Sequence, residues 1–161
     1  MYKNFILESR NFLTTKECKY LIKEYKKISK PSKEKGHGYN YVDLEGKPAF
    51  NKLAVLMLPV LTEYKKKYPE VDLTKNKWAL TNMRFKHFKP GKSFEKFHSE
   101  HSYEHATRLL NIQIYLSDHN CGTKFYNNKI IKYEKGKIVV FPSYFTHTHK
   151  GQITDKEKII A

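Results

Sequence analysis

The segment that decides the fold lies between residues 111 and 143 and reads NIQIYLSDHNCGTKFYNNKIIKYEKGKIVVFPS. Short runs rich in β-branched and aromatic residues alternate in it with turn signals. The turns are Asn120-Cys121-Gly122, Asn127-Asn128 and Lys135-Gly136. Residues 81–88, TNMRFKHF, have the same character. Several short strands at this spacing are typical of an all-β sandwich or barrel. We therefore predict a β core of jelly-roll type over residues 78–161.

Two helices are predicted upstream of this core. Thr14 and Thr15 precede a run with apolar residues at helical spacing, including Cys18 and Leu21, and a threonine before such a run is a good N-cap. A second helix is predicted over residues 51–68. Pro59 lies inside that window, so we expect a kink or a break there.

The segments around the helices are predicted from their turn residues. Residues 4–12, NFILESRNF, indicate a short opening strand. Residues 30–51 are rich in Gly, Pro and polar residues, which predicts a mobile loop with a short hairpin near residues 39–42. Tyr39 and Tyr41 of this loop are candidates for a lid over the mouth of the barrel.

Length and composition favour one domain. The chain has 161 residues, within the ~100–200 residues of a typical domain, and shows no internal repeat. Aromatic residues make up 14% of it, which excludes global disorder. We expect an α+β fold in a single domain over 1–161. A helical support region over 1–77 would pack on one side of a double-stranded β-helix (jelly-roll) core over 78–161.

Lysine dominates the charge of the chain. Lys and Arg number 31 against 16 Asp and Glu, which gives a formal net charge of +15. Arginine is scarce, and its three positions are Arg10, Arg84 and Arg108. Specific readout of phosphates or bases favours the arginine fork, so this excess indicates a non-specific positive field. It suits a solvated surface, and it also suits attraction to an acidic partner or to nucleic acid.

Cysteine usage and hydropathy predict the compartment. The two cysteines, Cys18 and Cys121, form no disulfide framework, which favours a reducing setting. The longest apolar stretch, residues 53–61, is far short of the ~20 residues that span a bilayer. The first residues show no secretory signal. We expect a cytoplasmic protein without a membrane segment.

The residues that carry chemistry lie in two neighbourhoods of the β half. His98 and Glu100 are two apart, so on a strand their side chains point to the same side. The second neighbourhood, FPSYFTHTH, contains His147 and His149. Two imidazoles and one carboxylate form the facial triad that holds non-heme Fe(II) and leaves positions open. Taken alone, the pattern also fits surface histidines in polar loops.

These segments resemble a known family. Residues 88–100, FKPGKSFEKFHSE, resemble the sequence around the first iron ligand of 2-oxoglutarate/Fe(II)-dependent dioxygenases. Residues 114–118, IYLSD, and 121–125, CGTKF, are similar to that family's Tyr-Leu-Asn and Gly-Gly-x-Thr-x-Phe elements. Residues 136–143, GKIVVFPS, followed by His147, are similar to its second-ligand strand. The resemblance covers nearly the whole chain and is closest to the prolyl 4-hydroxylase-like branch, in particular its phage and viral members.

The resemblance implies a set of catalytic metal ligands, His98, Glu100 and His147. His147 takes the second-histidine place because it stands six positions after Phe141, and His149 is the reserve candidate. Glu100 stands where most of the superfamily has Asp, so a carboxylate that is one methylene longer must fold back to reach the same metal.

The resemblance also implies the cofactors. They are Fe(II) and the cosubstrate 2-oxoglutarate, with ascorbate as a reductant. Lys158 is similar to the family's basic residue for the far carboxylate of the cosubstrate, with Lys156 as the alternative. Tyr115 resembles the tyrosine whose hydroxyl helps to hold that carboxylate.

The activity implied by the resemblance is hydroxylation of a C–H bond, in a peptidyl proline of a protein or peptide substrate. A viral member would work in the host cytoplasm. An oxygenase acting on nucleic acid, or a metal-free basic β-sandwich that binds nucleic acid, is the alternative, although no recognition motif for nucleic acid is visible. The sequence leaves the substrate and the oligomeric state open.

Overall fold

The computed structural model describes residues 3–28, 31–33, 38–73, 78–81 and 83–161. These residues form a mixed α and β structure with two α-helices and ten short strands, all paired antiparallel. The helices are α1 (Thr15–Lys26) and α2 (Pro48–Lys67). The strands are β1 (Leu7–Ser9), β2 (Ser32–Lys33), β3 (Tyr39–Asp43), β4 (Arg84–Phe88), β5 (Leu110–Ile114), β6 (Gly122–Phe125), β7 (Ile130–Lys132), β8 (Ile138–Pro142), β9 (His149–Gly151) and β10 (Lys158–Ile160).

The strands form three sheets with the orders β1-β8-β5, β10-β4-β3-β2 and β7-β6-β9. The predicted opening strand is confirmed as β1, which pairs with β8 from Leu7 opposite Val140 to Ser9 opposite Ile138. The predicted hairpin is confirmed in β2 and β3, and β3 also pairs with β4 along its whole length. The sheets therefore draw on both the first 77 residues and the rest of the chain.

The predicted lid is wrong for Tyr39. Its side chain is 6% exposed and lies opposite Phe88 in the β3–β4 pair, with ring centroids 4.8 Å apart. Tyr39 is therefore a buried residue of the β3–β4 pair and does not form a lid. Residue 30 and residues 34–37 of the predicted mobile loop lie outside the described residues.

Strand β8 separates two apolar clusters. Because side chains alternate along a strand, Ile138 and Val140 point to one cluster while Val139 and Phe141 point to the other. The first cluster takes in the buried faces of both helices, as predicted for helices packed on one side of the strands. The second cluster lies among the strands, so both faces of β8 are apolar.

Helix α1 begins as the sequence predicts. The Thr14 side chain accepts a hydrogen bond from the Glu17 backbone N–H at 3.2 Å, and Glu17 Oε2 accepts one from the Thr14 backbone N–H at 2.9 Å. This reciprocal capping box satisfies two backbone donors that the helix itself leaves unpaired. Cys18, Leu21 and Tyr25 then form the buried face.

The sequence predicts a kink or a break at Pro59, and helix α2 continues through this residue without a break. A proline removes the hydrogen bond to the carbonyl four residues earlier, here that of Val55. Pro59 and Val55 lie on the exposed side of the helix, where water can satisfy the freed carbonyl. The opposite face, with Leu53, Met57 and Val60, keeps the packing that holds the helix in place.

The turn at Gly136 joins the start of α1 to the strands. Its φ is +81°, and its carbonyl accepts a hydrogen bond from the Leu13 N–H at 2.9 Å. A Cβ atom at this position would lie 2.1 Å from the Leu13 carbonyl oxygen. Glycine is thus required twice, by the positive φ and by the close approach of the Leu13 backbone.

We expect Gly136→Ala to destabilise the protein much more than Gly46→Ala. Gly46 has a similar φ of +71° but nothing within 4 Å of its added Cβ, so it reports the backbone strain alone, about 1–2 kcal/mol. Gly136→Ala adds a clash with backbone that cannot move aside, and overpacking costs a further ~1–3 kcal/mol. Chemical denaturation of both variants measures the difference, and equal losses would contradict the clash.

Candidate metal centre

The centre of the candidate site is a reciprocal backbone pair between His98 and His149. The His98 N–H donates to the His149 carbonyl at 3.0 Å, and the His149 N–H donates to the His98 carbonyl at 2.9 Å. This isolated antiparallel bridge puts the two imidazoles on one side, with ring centroids 4.5 Å apart. His98 lies in the segment after β4, and His149 opens β9, so the bridge joins two distant parts of the chain.

Glu100 completes a group of three potential metal ligands. Its Oε1 lies 3.5 Å from His98 Nε2, as expected for residues two apart in extended chain. His98, Glu100 and His149 each offer one ligand atom, and these atoms lie within 4.8 Å of one another. Among the described residues, this is the group whose histidine and acidic side chains gather in this way.

The hydrogen bonds of the two rings prepare them as ligands. His98 Nδ1 lies 3.0 Å from the Lys96 carbonyl oxygen, and His149 Nδ1 lies 3.0 Å from the His147 carbonyl oxygen. A carbonyl only accepts, so each Nδ1 carries a proton, which leaves Nε2 as the ring nitrogen available to the group. The buried His149 Nε2 has no hydrogen-bond partner among the described groups. Ligand histidines in metalloproteins are typically oriented by such outer contacts.

The electrostatics of the group favour a neutral imidazole beside an ionised carboxylate. Burial, with a smaller effect from the positive charge of His98, lowers the pKa of His149 to about 4. Burial also opposes ionisation of Glu100. The hydrogen bond with His98 and the charge of Lys86 outweigh it and hold the pKa of Glu100 well below its usual range. At neutral pH the group therefore offers the lone pair of His149 and the negative charge of Glu100 to a cation.

The prediction of His147 as the second histidine does not agree with this geometry. His147 ends a 3-10 turn, Phe145–His147, before β9 begins. Its Nε2 lies 2.8 Å from the Asn4 carbonyl oxygen and its Nδ1 lies 2.9 Å from Thr146 Oγ1, so both ring nitrogens are engaged elsewhere. The reserve candidate, His149, lies in the cluster, while the backbone carbonyl of His147 orients the His149 ring.

The three side chains line a small, partly open cavity of about 30 Å³. The remaining lining residues are Lys86, Phe88, Phe94, Gln113, Thr123, Tyr133, Gly151, Lys158 and Ile160. Most of the lining side chains are charged or can form hydrogen bonds, and Phe88, Phe94 and Ile160 supply its apolar part, so the cavity suits a polar small molecule.

Lys158 is the buried cation of this cavity. Its side chain is 1% exposed, and its Nζ donates to Ser93 Oγ at 2.8 Å and to the Gln152 carbonyl at 3.2 Å. Nζ also lies 4.4 Å from the centroid of the Phe88 ring. Within the described part of the chain, no carboxylate lies within ion-pair distance of it, and burial lowers the pKa of Lys158 to about 8. A buried charge without a partner is costly, which points to an anionic ligand.

The other predicted cosubstrate residues lie elsewhere. Lys156 is exposed and does not line the cavity. Tyr115 is fully buried behind the cavity wall, where its hydroxyl lies 3.3 Å from Thr123 Oγ1 and 3.3 Å from Gln113 Oε1. Thr123 and Gln113 do line the cavity, so Tyr115 supports its wall instead of facing its contents.

Several residues in or beside the cavity were not predicted from the sequence. Tyr133, whose ring packs against Tyr115 with centroids 3.9 Å apart, lines the cavity, as does Thr123. Arg108 donates from Nη1 to Glu100 Oε2 at 3.1 Å. The alternation of β6 signals Thr123, since Thr123 and the buried Phe125 lie on one face of that strand. No local pattern signals Tyr133 or Arg108, because their places depend on how the loops close.

Comparison with known proteins finds similarity in structure only. No protein-family profile and no curated protein sequence matches the chain. A viral collagen prolyl hydroxylase from Paramecium Bursaria Chlorella virus-1, in complex with 2-oxoglutarate, matches with a TM-score of 0.68 and 19% identity, over 97% of this chain and 92% of that one. A Pseudomonas putida prolyl-4-hydroxylase matches with a TM-score of 0.77 and 13% identity, over 98% and 90%.

A third solved structure is a prolyl hydroxylase from Trichoplax adhaerens in complex with a hypoxia inducible factor peptide fragment. It matches with a TM-score of 0.73 and 13% identity, over 98% of this chain and 81% of that one. The structural neighbours are thus prolyl hydroxylases and 2-oxoglutarate-dependent dioxygenases, and one of them is viral. At these identities the likeness establishes the shared fold.

We expect His149→Ala to abolish tight binding of Mn²⁺ and His147→Ala to leave the dissociation constant within about threefold. Only His149 presents a free, buried Nε2 beside His98 and Glu100, whereas the His147 ring is bound to Asn4. Each purified variant is titrated with Mn²⁺, and the electron paramagnetic resonance signal of free Mn²⁺ gives its dissociation constant. If His147→Ala loses Mn²⁺ binding and His149→Ala keeps it, His147 is the second histidine ligand, as the sequence predicts.

Proposed function

We propose that this chain is an Fe(II)- and 2-oxoglutarate-dependent oxygenase, with its three sheets arranged as a double-stranded β-helix of jelly-roll type. The observation that carries the proposal is that one cavity is lined both by the group His98, Glu100 and His149 and by the buried Lys158. The group of three suits a divalent cation, and the buried lysine suits an anion.

The donor set fits Fe(II). Two imidazoles and one carboxylate on one side of an ion leave positions open, which is the arrangement of non-heme Fe(II) oxygenases. When bound, the iron would supply the oxidative chemistry by which O₂ and 2-oxoglutarate yield a hydroxylated product, succinate and CO₂. Ascorbate as a reductant rests on the family resemblance alone.

The residues of the chain bind and orient the cosubstrate. Lys158 supplies the positive charge for the far carboxylate, and Ser93 and the Gln152 carbonyl fix the position of its Nζ. Phe88 and Ile160, from β4 and β10, give an apolar wall that excludes water and strengthens this charge pair. His149 stays neutral and Glu100 stays ionised, as ligation requires.

A peptidyl proline is the proposed substrate. Three of the similar structures are prolyl hydroxylases by name, and one of them is in complex with a peptide fragment. Next to His98, the exposed Phe97 ring lies 5.3 Å from that of the exposed Tyr126. Extended, proline-containing peptides bind to aromatic surfaces of this kind.

Nucleic acid is the second candidate substrate, and the net charge of +15 is the observation that favours it. Exposed lysines attract a phosphate backbone without regard to sequence, so this binding would weaken steeply with salt. A protein that only binds nucleic acid would keep that affinity when His98 and His149 are replaced, whereas an oxygenase would lose turnover.

The cytoplasm is the proposed location, in the host for a viral protein. Both cysteines, Cys18 and Cys121, are free and buried, as is usual in reducing compartments. Within the described residues, neither helix combines the length and apolar character needed to cross a bilayer.

We expect the purified chain to release succinate when Fe(II), O₂, 2-oxoglutarate and a proline-containing peptide are supplied. Lys158→Ala should raise the KM for 2-oxoglutarate about 10–100-fold, because a charge-assisted hydrogen bond contributes about 1.5–3 kcal/mol. Lys156→Ala is the matched control, since that lysine is exposed, and its KM should not change. A KM that moves only in Lys156→Ala would reverse the assignment, and absence of succinate release from the wild type would overturn the proposed function.

We also expect the affinity for 2-oxoglutarate to fall as pH rises above about 8. The lowered pKa of Lys158 means that the free protein loses this positive charge near pH 8 instead of near pH 10. Below that pH the charge is present and binding is strongest. Above it the dissociation constant should rise about tenfold per pH unit, until the complex, whose lysine pKa is raised by the bound anion, also titrates.

Measurement of the dissociation constant between pH 7 and pH 9.5 by calorimetry tests this dependence, because the carboxylates of the ligand stay ionised throughout. Lys158→Ala provides the control, since its weaker binding should show no step near pH 8. A flat profile in the wild type would contradict a role for the Lys158 charge.

A further inference from the structure

Arg108 holds the oxygen of Glu100 that His98 does not face. Arg108 Nη1 donates to Glu100 Oε2 at 3.1 Å, while Glu100 Oε1 lies 3.5 Å from His98 Nε2. The arginine and glutamate side chains are 25% and 18% exposed, so this ion pair is largely shielded from water. Each carboxylate oxygen therefore has a different partner.

The backbone brings Arg108 to this position. The His101 N–H donates to the Ser143 carbonyl at 3.0 Å, and the Ser143 N–H donates to the Leu109 carbonyl at 3.0 Å. Ser143, which follows β8, thus ties down both ends of the segment 101–109. Glu100 and Arg108 each directly precede one of the two tied positions, so they are held close to each other although they are eight positions apart in sequence.

The length of the glutamate side chain explains why a contact with Arg108 matters for its conformation. Glutamate has one more rotatable bond than aspartate, so its carboxylate reaches more positions and loses more conformational entropy when it is fixed. The planar guanidinium is a rigid donor, and it is one of only three arginines in a chain that otherwise uses lysine. An arginine contact on Oε2 removes that freedom and leaves Oε1 directed to the histidines.

We propose that Arg108 is a positioning residue for Glu100, which fixes the folded-back glutamate so that Oε1 is available as a metal ligand. This inference rests on the proposed metal site. Arg108 itself does not contact the ion, and it acts through Glu100 alone. Outer contacts of this kind typically change metal affinity 10–100-fold.

A simple charge effect predicts the opposite sign. Arg108 carries a positive charge close to the place of a divalent cation, so its removal would reduce repulsion and tighten metal binding. Loss of positioning would weaken binding. The direction of the change in affinity therefore separates the two roles of Arg108.

The test measures the dissociation constant of Mn²⁺ for the full chain by electron paramagnetic resonance, without turnover. Arg108→Ala should raise this constant about 10–100-fold, and Arg108→Lys, which keeps the charge but loses the planar fork, should give an intermediate value. Circular dichroism confirms that each variant is folded, and Arg108→Gln replaces Arg108→Ala if the latter is not. An unchanged or lower constant in the folded variant overturns the proposal.

Arg84→Ala is the matched control. Arg84 Nε donates to Asp43 Oδ1 at 2.6 Å in a part-buried ion pair between β3 and β4, and neither residue lines the cavity. Its removal should cost stability without changing Mn²⁺ affinity. An equal loss of affinity in Arg84→Ala would show that general destabilisation explains the Arg108 result.

Glu100→Asp completes a double-mutant cycle. The shorter carboxylate cannot reach both partners, so Arg108→Ala should change Mn²⁺ affinity less than threefold in the Glu100→Asp background. Equal effects of Arg108→Ala in both backgrounds would overturn the proposal, since Arg108 would then act independently of Glu100. Failure of the wild type to bind Mn²⁺ would overturn the metal site itself, a result distinct from either outcome.

Discussion

The site depends on the pair of backbone hydrogen bonds between His98 and His149. This bridge joins the segment after β4 to the start of β9, and it is what places the two imidazoles side by side. The bridge also fixes the face on which each ring lies. Glu100, two residues along from His98, then reaches the same point by simple alternation. A few main-chain bonds thus position three side chains, and neighbouring carbonyls orient the two imidazole rings among them.

The charge of the chain has two separate meanings. Most lysines lie on the surface and together give a diffuse positive potential. Lys158, in contrast, is buried, and a hydrogen bond fixes the position of its Nζ. Burial of a cation without a counter-ion lowers the stability of the apo protein, since the charge loses its hydration. A dicarboxylate would remove that cost on binding. The buried lysine is therefore a more specific sign of an acidic ligand than the net charge of +15.

Much of the local structure could be predicted from the sequence, because it depends on neighbouring residues. The capping box at Thr14 and the shared side of His98 and Glu100 follow from spacing alone. The choice between His147 and His149 could not be made this way. It depends on the 3-10 turn Phe145–His147 after β8. Side chains do not alternate between two sides in this turn, and alternation begins again only at His149, the first residue of β9. Arg108 was missed for a similar reason, since its contact with Glu100 requires both ends of a loop to meet at Ser143.

Stability and chemistry are placed on opposite faces of the same strand. Ile138 and Val140 of β8 pack with the helices in a cluster that is apolar throughout, while Val139 and Phe141 face the strands around the cavity. Near that second cluster the fold buries Thr123, Lys158 and His149, each of which gives up hydration. The helix-side cluster offsets this loss, because apolar burial contributes roughly 25 cal/mol per Å². The helices are thus needed for function although they supply no residue to the cavity: they stabilise a sheet whose other face carries polar and charged groups.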